Sequence, residues 1–317
     1  MMAEAQADDD EVFVYTGGNQ FVPRNVRCVR IDKSVKIIPR LAFQYRYNLI
    51  YVEFHDGIEE IGERAFNCCY SLRGVKLLGV KIIGEGAFCD CRGLTDIKFG
   101  SQLERIGRRA FDHCISLRNI TMPSARSIGQ HAFCSCVRLT VFDLPEGLET
   151  IGIKAFQNCH RLRRITIQLN CMIKDGVFWR CHKLTTVDLV GGIHNNIASL
   201  HLESWRDEMK DEINRINQVL PDTVAQEKTS VVRDWIRSVI RRLDYHKAQH
   251  KAMLKEATTL LELALWKAKI EEKEEDSLAD VIAKKAKIDI QSKRSERRIT
   301  SGANIVIKNV LPFLDLK

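Results

Sequence analysis

No run in this chain reaches the about 18 to 20 apolar residues that a membrane span needs: the most apolar stretch, LLELALW, is short and broken by Glu262, so no membrane insertion is expected. The first residues, MMAEAQADDDEVF, lack the basic start and apolar core of an export signal, which places the protein inside the cell as an expectation, cytoplasmic unless imported into the nucleus. There is also no dominance of one charge. Lys and Arg total 49 and Asp and Glu 41, and the surplus of +8 is small beside charges of both signs, which disfavours a nucleic-acid module with its single basic patch. Catalytic signatures are missing too: no G-x-S-x-G, phosphate loop or dinucleotide fingerprint occurs, and Gly84-Glu85-Gly86 lacks the third glycine. The reading is therefore of a non-enzyme without a cofactor.

What is there is a repeat. Ala-Phe or a near copy returns at Phe43, Phe66, Phe88, Phe111, Phe133, Phe156 and Phe178, in steps that alternate between 23 and 22 residues. A fixed period of this length means that each unit buries its apolar face only by stacking on copies of itself, which is a solenoid. A middle copy, Ile106 to Met122, reads IGxxAFxxCxxLxxIxM. The Leu column (Leu49, Leu72, Leu94, Leu117, Leu139, Leu162, Leu184) precedes apolar and polar residues in alternation, the mark of a half-buried strand. Ile-Gly-x-x-Ala-Phe suits one helical turn or a tight irregular turn. The strands after the Leu column are expected to form one seven-stranded parallel sheet, roughly 30 Å long at about 4.8 Å per strand.

The end copies depart from the pattern as capping units do: Pro39 stands for Gly and Arg46 for Cys in the first, Lys174 for Gly and Val177 for Ala in the last. Val26 to Ile31 reads as one more strand over the N-terminal core. With I-G-x-x-A-F-x-x-C-x-x-L-x-x-I repeated six or seven times over about residues 26 to 190, the chain resembles the BspA-type leucine-rich repeat family. The resemblance implies a curved α/β leucine-rich repeat solenoid used for protein binding, found in bacterial surface adhesins and in intracellular proteins of microbial eukaryotes; the helical extension of this chain looks closer to the eukaryotic kind.

Six of the 11 cysteines, Cys69, Cys91, Cys114, Cys136, Cys159 and Cys181, sit three residues after the repeat Phe. They read as one buried column of free thiols packing as small hydrophobes, because the inferred compartment disfavours disulfides. Cys89-x-Cys91 and Cys134-x-Cys136, with His113, His160 and His182 beside the column, raise zinc as an alternative. A single intervening residue constrains two thiolates poorly for a tetrahedral ion, and no metal site is assigned. Asn119-Ile120-Thr121 matches a glycosylation acceptor by chance on a strand.

One position after the Leu, Arg73, Thr95, Arg118, Thr140, Arg163 and Thr185 alternate, which points to growth by a duplicated 45-residue unit. The row between the inward strand residues is Glu53, Lys76, Lys98, Thr121, Asp143, Thr166 and Asp188, mixed in sign, which fits a protein partner better than a phosphate backbone. The residues assigned to contact that partner on the strand face are Tyr51, Arg73, Lys76, Lys98, Arg118, Asp143 and Arg163.

The organisation expected is an acidic disordered start at 1–10, the solenoid with its N-terminal cap at 11–190, a linker at 191–197 and an all-α region at 198–317. Apolar spacing predicts one helix over 198–217, ended near Pro221, and a second stripe from Val232, Trp235, Ile236, Val239, Ile240 and Leu243, continued by Leu254, Ala257, Leu261, Ala264, Leu265 and Ala268 in a bent or separate helix. These helices are expected to cap the last rung, with self-association through a coiled-coil seam as the alternative. The acidic block Glu271 to Asp276 precedes basic residues from Lys284 to Arg298, which resemble a nuclear-import patch; with the basic helix near 232–247 they carry the rival reading of nucleic-acid binding. The other rival is an adhesin of the BspA type. The sequence as a whole reads as an intracellular, non-catalytic protein-interaction scaffold.

Overall fold

A computed structural model describes residues 12–18, 20–189 and 203–283, with the side chains of 203–206 and 272–283 outside that description. The expected acidic start at 1–10, the linker at 191–197 and the basic run at 284–298 lie outside the described residues.

The chain winds as a succession of short parallel strands and turns. In chain order the strands are β1 (Phe13–Tyr15), β2 (Cys28–Ile31), β3 (Ile37–Ile38), β4 (Tyr51–Glu53), β5 (Glu60–Ile61), β6 (Gly74–Leu77), β7 (Ile82–Ile83) and β8 (Asp96–Phe99). They continue as β9 (Arg105–Ile106), β10 (Asn119–Thr121), β11 (Ser127–Ile128), β12 (Val141–Asp143), β13 (Thr150–Ile151), β14 (Arg164–Ile167), β15 (Met172–Ile173) and β16 (Thr186–Leu189). Two helices follow, α1 (Glu203–Val219) and α2 (Lys228–Ala283). The chain divides into two compact units, residues 1–240 and 241–317, so α1 and the first turns of α2 belong with the solenoid.

The strand pattern departs from the single long sheet expected after the Leu column. Together with β1 and β2, those strands form three separate three-stranded parallel sheets, β1-β2-β4, β6-β8-β10 and β12-β14-β16. The continuous seven-stranded sheet lies instead at the two-residue strands from β3 to β15, where the Ile before each Gly is buried.

The Ile-Gly-x-x-Ala-Phe segment is a tight turn and not a helical one. Two positions in every rung, two residues before and two after the Phe, have φ between 51° and 64°. Twelve of these fourteen are not glycine, and each such left-handed residue costs roughly 1 kcal/mol or more. The conformation points the N–H groups along the stack. In the first rung Leu41, Phe43 and Tyr45 donate to the carbonyls of Glu63, Ala65 and Asn67, and the same three bonds recur at every interface at 2.7 to 3.0 Å. The Phe rings stack along this column with centroids 4.8 to 6.2 Å apart, all fully buried.

The Cys column has a polar role besides its packing. Each thiol donates to the carbonyl of the Phe one rung earlier, as Cys114 does to Phe88 at 3.2 Å and Cys136 to Phe111 at 3.3 Å. In the first rung Arg46 occupies this slot and donates to the Val22 carbonyl at 2.9 Å instead. Tyr15, fully buried, meets Phe43 edge-on at 4.9 Å and closes the N-terminal end.

At the other end three side chains stand where an eighth rung would bond. Phe178 N–H donates to Thr229 Oγ1 at 2.9 Å, in place of the next alanine carbonyl. Val187 N–H donates to Asn217 Oδ1 at 2.8 Å. Lys228 Nζ donates to the carbonyls of His182 and Leu184; in the lower rungs the matching carbonyls of Tyr47 and Tyr70 take amides from Ser71 and Gly93. Met209, Ile216, Val232, Trp235, Ile236 and Val239 are the buried faces of α1 and α2 here, and Trp235 Nε1 donates to the Glu212 carbonyl at 3.1 Å. The second apolar stripe continues α2 and forms no separate helix, since residues 228–283 contain neither Gly nor Pro.

A Cβ on Gly107 would lie 2.7 Å from the Ile83 carbonyl oxygen and from the Gly84 carbonyl carbon, so the rungs approach there only because the side chain is absent. Gly86 has φ 59°, yet the same position carries Arg64, Arg109 and Lys154 in other rungs. Urea denaturation of Gly107→Ala is therefore expected to show a loss of about 3 kcal/mol, against about 1 kcal/mol for Gly86→Ala. Equal losses would contradict the close-approach account.

Candidate functional site

The exposed side of β4, β6, β8 and β10 carries a groove of about 500 Å³. Its apolar floor comes from Val52, Phe54, Val75 and Ile97, which face inward from the pleat, and Gly74 leaves it open where neighbouring rungs have Tyr51, Asp96 and Asn119. Tyr51 stands 54% exposed at one end. Lys76 and Lys98 are register partners on β6 and β8, both exposed, and neither has an ion pair or hydrogen bond among the described residues. Two like charges at about 4.8 Å strand spacing repel, so the groove carries a local positive charge that the protein itself does not compensate.

Asp96 also lines the groove but forms no ion pair with either lysine: its carboxylate accepts from Asn119 Nδ2 at 2.6 Å and Thr95 Oγ1 at 2.5 Å. Arg73 and Arg118 flank the groove just before β6 and β10, exposed and without a partner among the described residues. The structure thus gathers Tyr51, Arg73, Lys76, Lys98 and Arg118 on two neighbouring sheets. Asp143 and Arg163 lie apart, on or next to the β12-β14-β16 sheet, where Arg164 sits between Asp143 at 3.9 Å and Asp188 at 3.4 Å.

Part of the Arg/Thr alternation has a local structural reason. Thr185 Oγ1 donates to the Arg163 carbonyl at 3.5 Å and ties its rung back to the preceding one, while Thr95 Oγ1, whose one proton goes to Asp96, lies 3.0 Å from the matching Arg73 carbonyl. Gly74, Phe54, Asp96 and Asn119 were absent from the sequence-based set. The signal for Gly74 was available: it is the one glycine in the column Tyr51, Gly74, Asp96, Asn119, Val141, Arg164, Thr186.

Beside the Cys column, His160 and His182 stack at 5.5 Å, and His113 Nδ1 lies 2.8 Å from Asp112 Oδ1. Among the described residues no group of three or more His, Cys, Asp and Glu is placed to hold a metal ion. Burial pushes the thiols of Cys69, Cys91, Cys114, Cys136 and Cys159 far above the ordinary range, and Cys89 up to about 12. In the basic helix, Arg233 pairs with Asp175 at 2.9 Å and Arg237 with Asp234 at 3.0 Å. No described helix is long and apolar enough to cross a membrane.

The profile of the "BspA type Leucine rich repeat region" matches residues 15–125 and 81–199, in 6 copies. The chain belongs to the BspA-type leucine-rich repeat family. Solved structures similar to this BspA-type chain include the T. pallidum leucine-rich repeat protein, 30% identical over 49% of this chain and 70% of that one, TM-score 0.40. Another is a leucine-rich repeat protein from Bacteroides ovatus, 25% identical over 52% of this chain and 49% of that one, TM-score 0.39. The BspA-type chain thus spans about half of the Bacteroides protein. No curated protein sequence matches it significantly.

The buried thiols of this BspA-type array set its behaviour in alkali. Their pKa values are raised on folding, so the folded state holds protons that the unfolded chain releases above about pH 8.5. Their contribution to stability is complete below that pH and falls above it, by about 1.4 kcal/mol per pH unit for each thiol. Denaturant midpoints measured from pH 7 to 10 are expected to drop steeply above about pH 8.5, and less steeply in a Cys91→Ala, Cys114→Ala variant. A flat profile would mean that the column is not buried.

Proposed function

We propose that the protein is a non-catalytic interaction scaffold, and that the groove across β4, β6, β8 and β10 takes an extended acidic segment of a partner protein. The observation that carries this reading is the uncompensated pair Lys76 and Lys98 over an apolar floor. A carboxylate between the two ammonium groups relieves their repulsion, while an apolar or aromatic side chain of the same segment fills the space above Gly74 beside Tyr51. Arg73 and Arg118 extend the positive edge and steer approach. Asp143 and Arg163, on the further sheet, serve as a second and charge-alternating contact region for a longer partner.

A protein segment suits this face better than a nucleic-acid backbone. The positive groups of the groove are few, and Glu53, Asp143 and Asp188 share the same row, whereas a phosphate backbone gains from many like contacts in series. The raised thiol pKa values support the absence of catalysis, since a nucleophilic cysteine requires a stabilised thiolate.

The test is a pull-down from native lysate treated with nuclease, comparing the intact protein with Lys76→Glu, Lys98→Glu and with a charge reversal at the exposed Arg105 of β9, in the other sheet, as a remote control. Partners retained by the intact protein and lost by the double variant are expected, with binding weakened about tenfold or more for about 1.4 kcal/mol of lost attraction. Partners that persist in the double variant would refute the groove.

A further inference from the structure

The second compact unit contains the long distal part of α2, from Arg241. Its surface is unlike that of a helix meant to stand alone in water, which is polar all round. Leu260 is 61% exposed, Leu263 55%, Leu265 56% and Trp266 66%. Leu254, Ala257, Leu261 and Ala264 form a half-exposed stripe that recurs every three or four residues, continuing to Ala268. Large and small residues mix along that stripe: Leu254, Ala257, Leu261, Ala264, Leu265 and Ala268.

Charge along the same helix is segregated. Lys247, Lys251 and Lys255 are exposed on the N-terminal side of the stripe. On its C-terminal side the acidic run Glu271-Glu272-Lys273-Glu274-Glu275-Asp276 begins, and Glu271 is exposed. A helix with one basic end, one acidic end and an apolar middle is complementary to itself when reversed. Side by side in the same direction, two copies would set lysine against lysine and glutamate against glutamate.

We infer that a second copy of this chain covers the stripe, with the two helices antiparallel. With Leu261 of one helix opposite Ala264 of the other, Ala257 comes opposite Ala268, so that the centre of the seam pairs Leu with Ala and Ala with Ala and the helices approach closely there. In that register residue 251 is level with residue 274, which lays the lysines along the acidic run of the other copy. Rise at about 1.5 Å per residue makes the paired segment from 247 to 278 about 46 Å long, with the apolar stripe in its middle and the charged ends on either side. The groove and the dimer are independent: nothing in the pairing uses the strand face.

Sedimentation equilibrium of the full chain tests this. The expected mass is twice 36.3 kDa, with affinity that falls between about 50 mM and about 500 mM NaCl as the end charges are screened. A Leu254→Glu, Leu261→Glu variant changes residues that are half-exposed in the single chain, so its circular dichroism should stay helical while the dimer weakens about tenfold or more. Reversing the three lysines to Glu in one preparation, and the acidic run to Lys in another, should give two monomeric proteins that form a dimer when mixed. A monomer at all concentrations would overturn the inference. So would a dimer indifferent to the Leu variant, which places the contact elsewhere, or one strengthened by salt, which means parallel helices.

Discussion

Every rung of this solenoid is bound to the next by three backbone hydrogen bonds in the turn around its Phe, and they exist only because two residues per rung accept a left-handed conformation. In an ordinary turn the N–H groups point back into their own loop. Here the two left-handed residues rotate them along the stack, where the next rung's carbonyls receive them at 2.7 to 3.0 Å. The local strain of roughly 1 kcal/mol per non-glycine residue is repaid only by a neighbour, so no single repeat is stable alone. The close packing at Gly107, the stacked Phe rings and the thiol bonds to Phe carbonyls all follow from rungs held at this distance.

The same constraint explains the ends. A stack whose rungs bond to their neighbours leaves one set of groups unpaired at each terminus, and buried unpaired amides are costly. At the C-terminal end Thr229, Lys228 and Asn217 supply those partners with side chains in place of a further backbone rung. At the N-terminal end, where no Phe carbonyl lies beneath, a thiol would have no acceptor; Arg46 is long enough to reach Val22. The broad strands are free of this burden. They break into three sheets without interrupting the solenoid, which leaves their outer faces available for contacts with other proteins.

The period, the Phe, Leu and Cys columns and the end substitutions were legible in the sequence because every internal rung meets the same neighbours, so that a position's requirement is written seven times. The left-handed residues were not legible: only Gly86 and Gly176 among the fourteen are glycine, and Arg64, Arg109 and Lys154 show no preference that would mark them. The thiol bond to the Phe carbonyl was hidden for another reason, since it links residues about 25 apart and depends on the stacking geometry. At the groove, Tyr51, Lys76 and Lys98 stand together because period two aligns them on one face; Asp143 shares their row but falls on another sheet, and a row in sequence does not reveal a sheet break.

Native-state hydrogen exchange, resolved by residue, tests the central claim most directly. If the turn ladder holds the stack, the amides of Phe66, Phe88, Phe111 and Phe133 exchange only through the opening of the whole solenoid, with one common and highest protection, while the amides beside the breaks next to β4 and β12 exchange earlier through local opening. If the broad-strand amides instead outlast the Phe amides, the sheets and not the left-handed turns bind the rungs together, and the account is wrong.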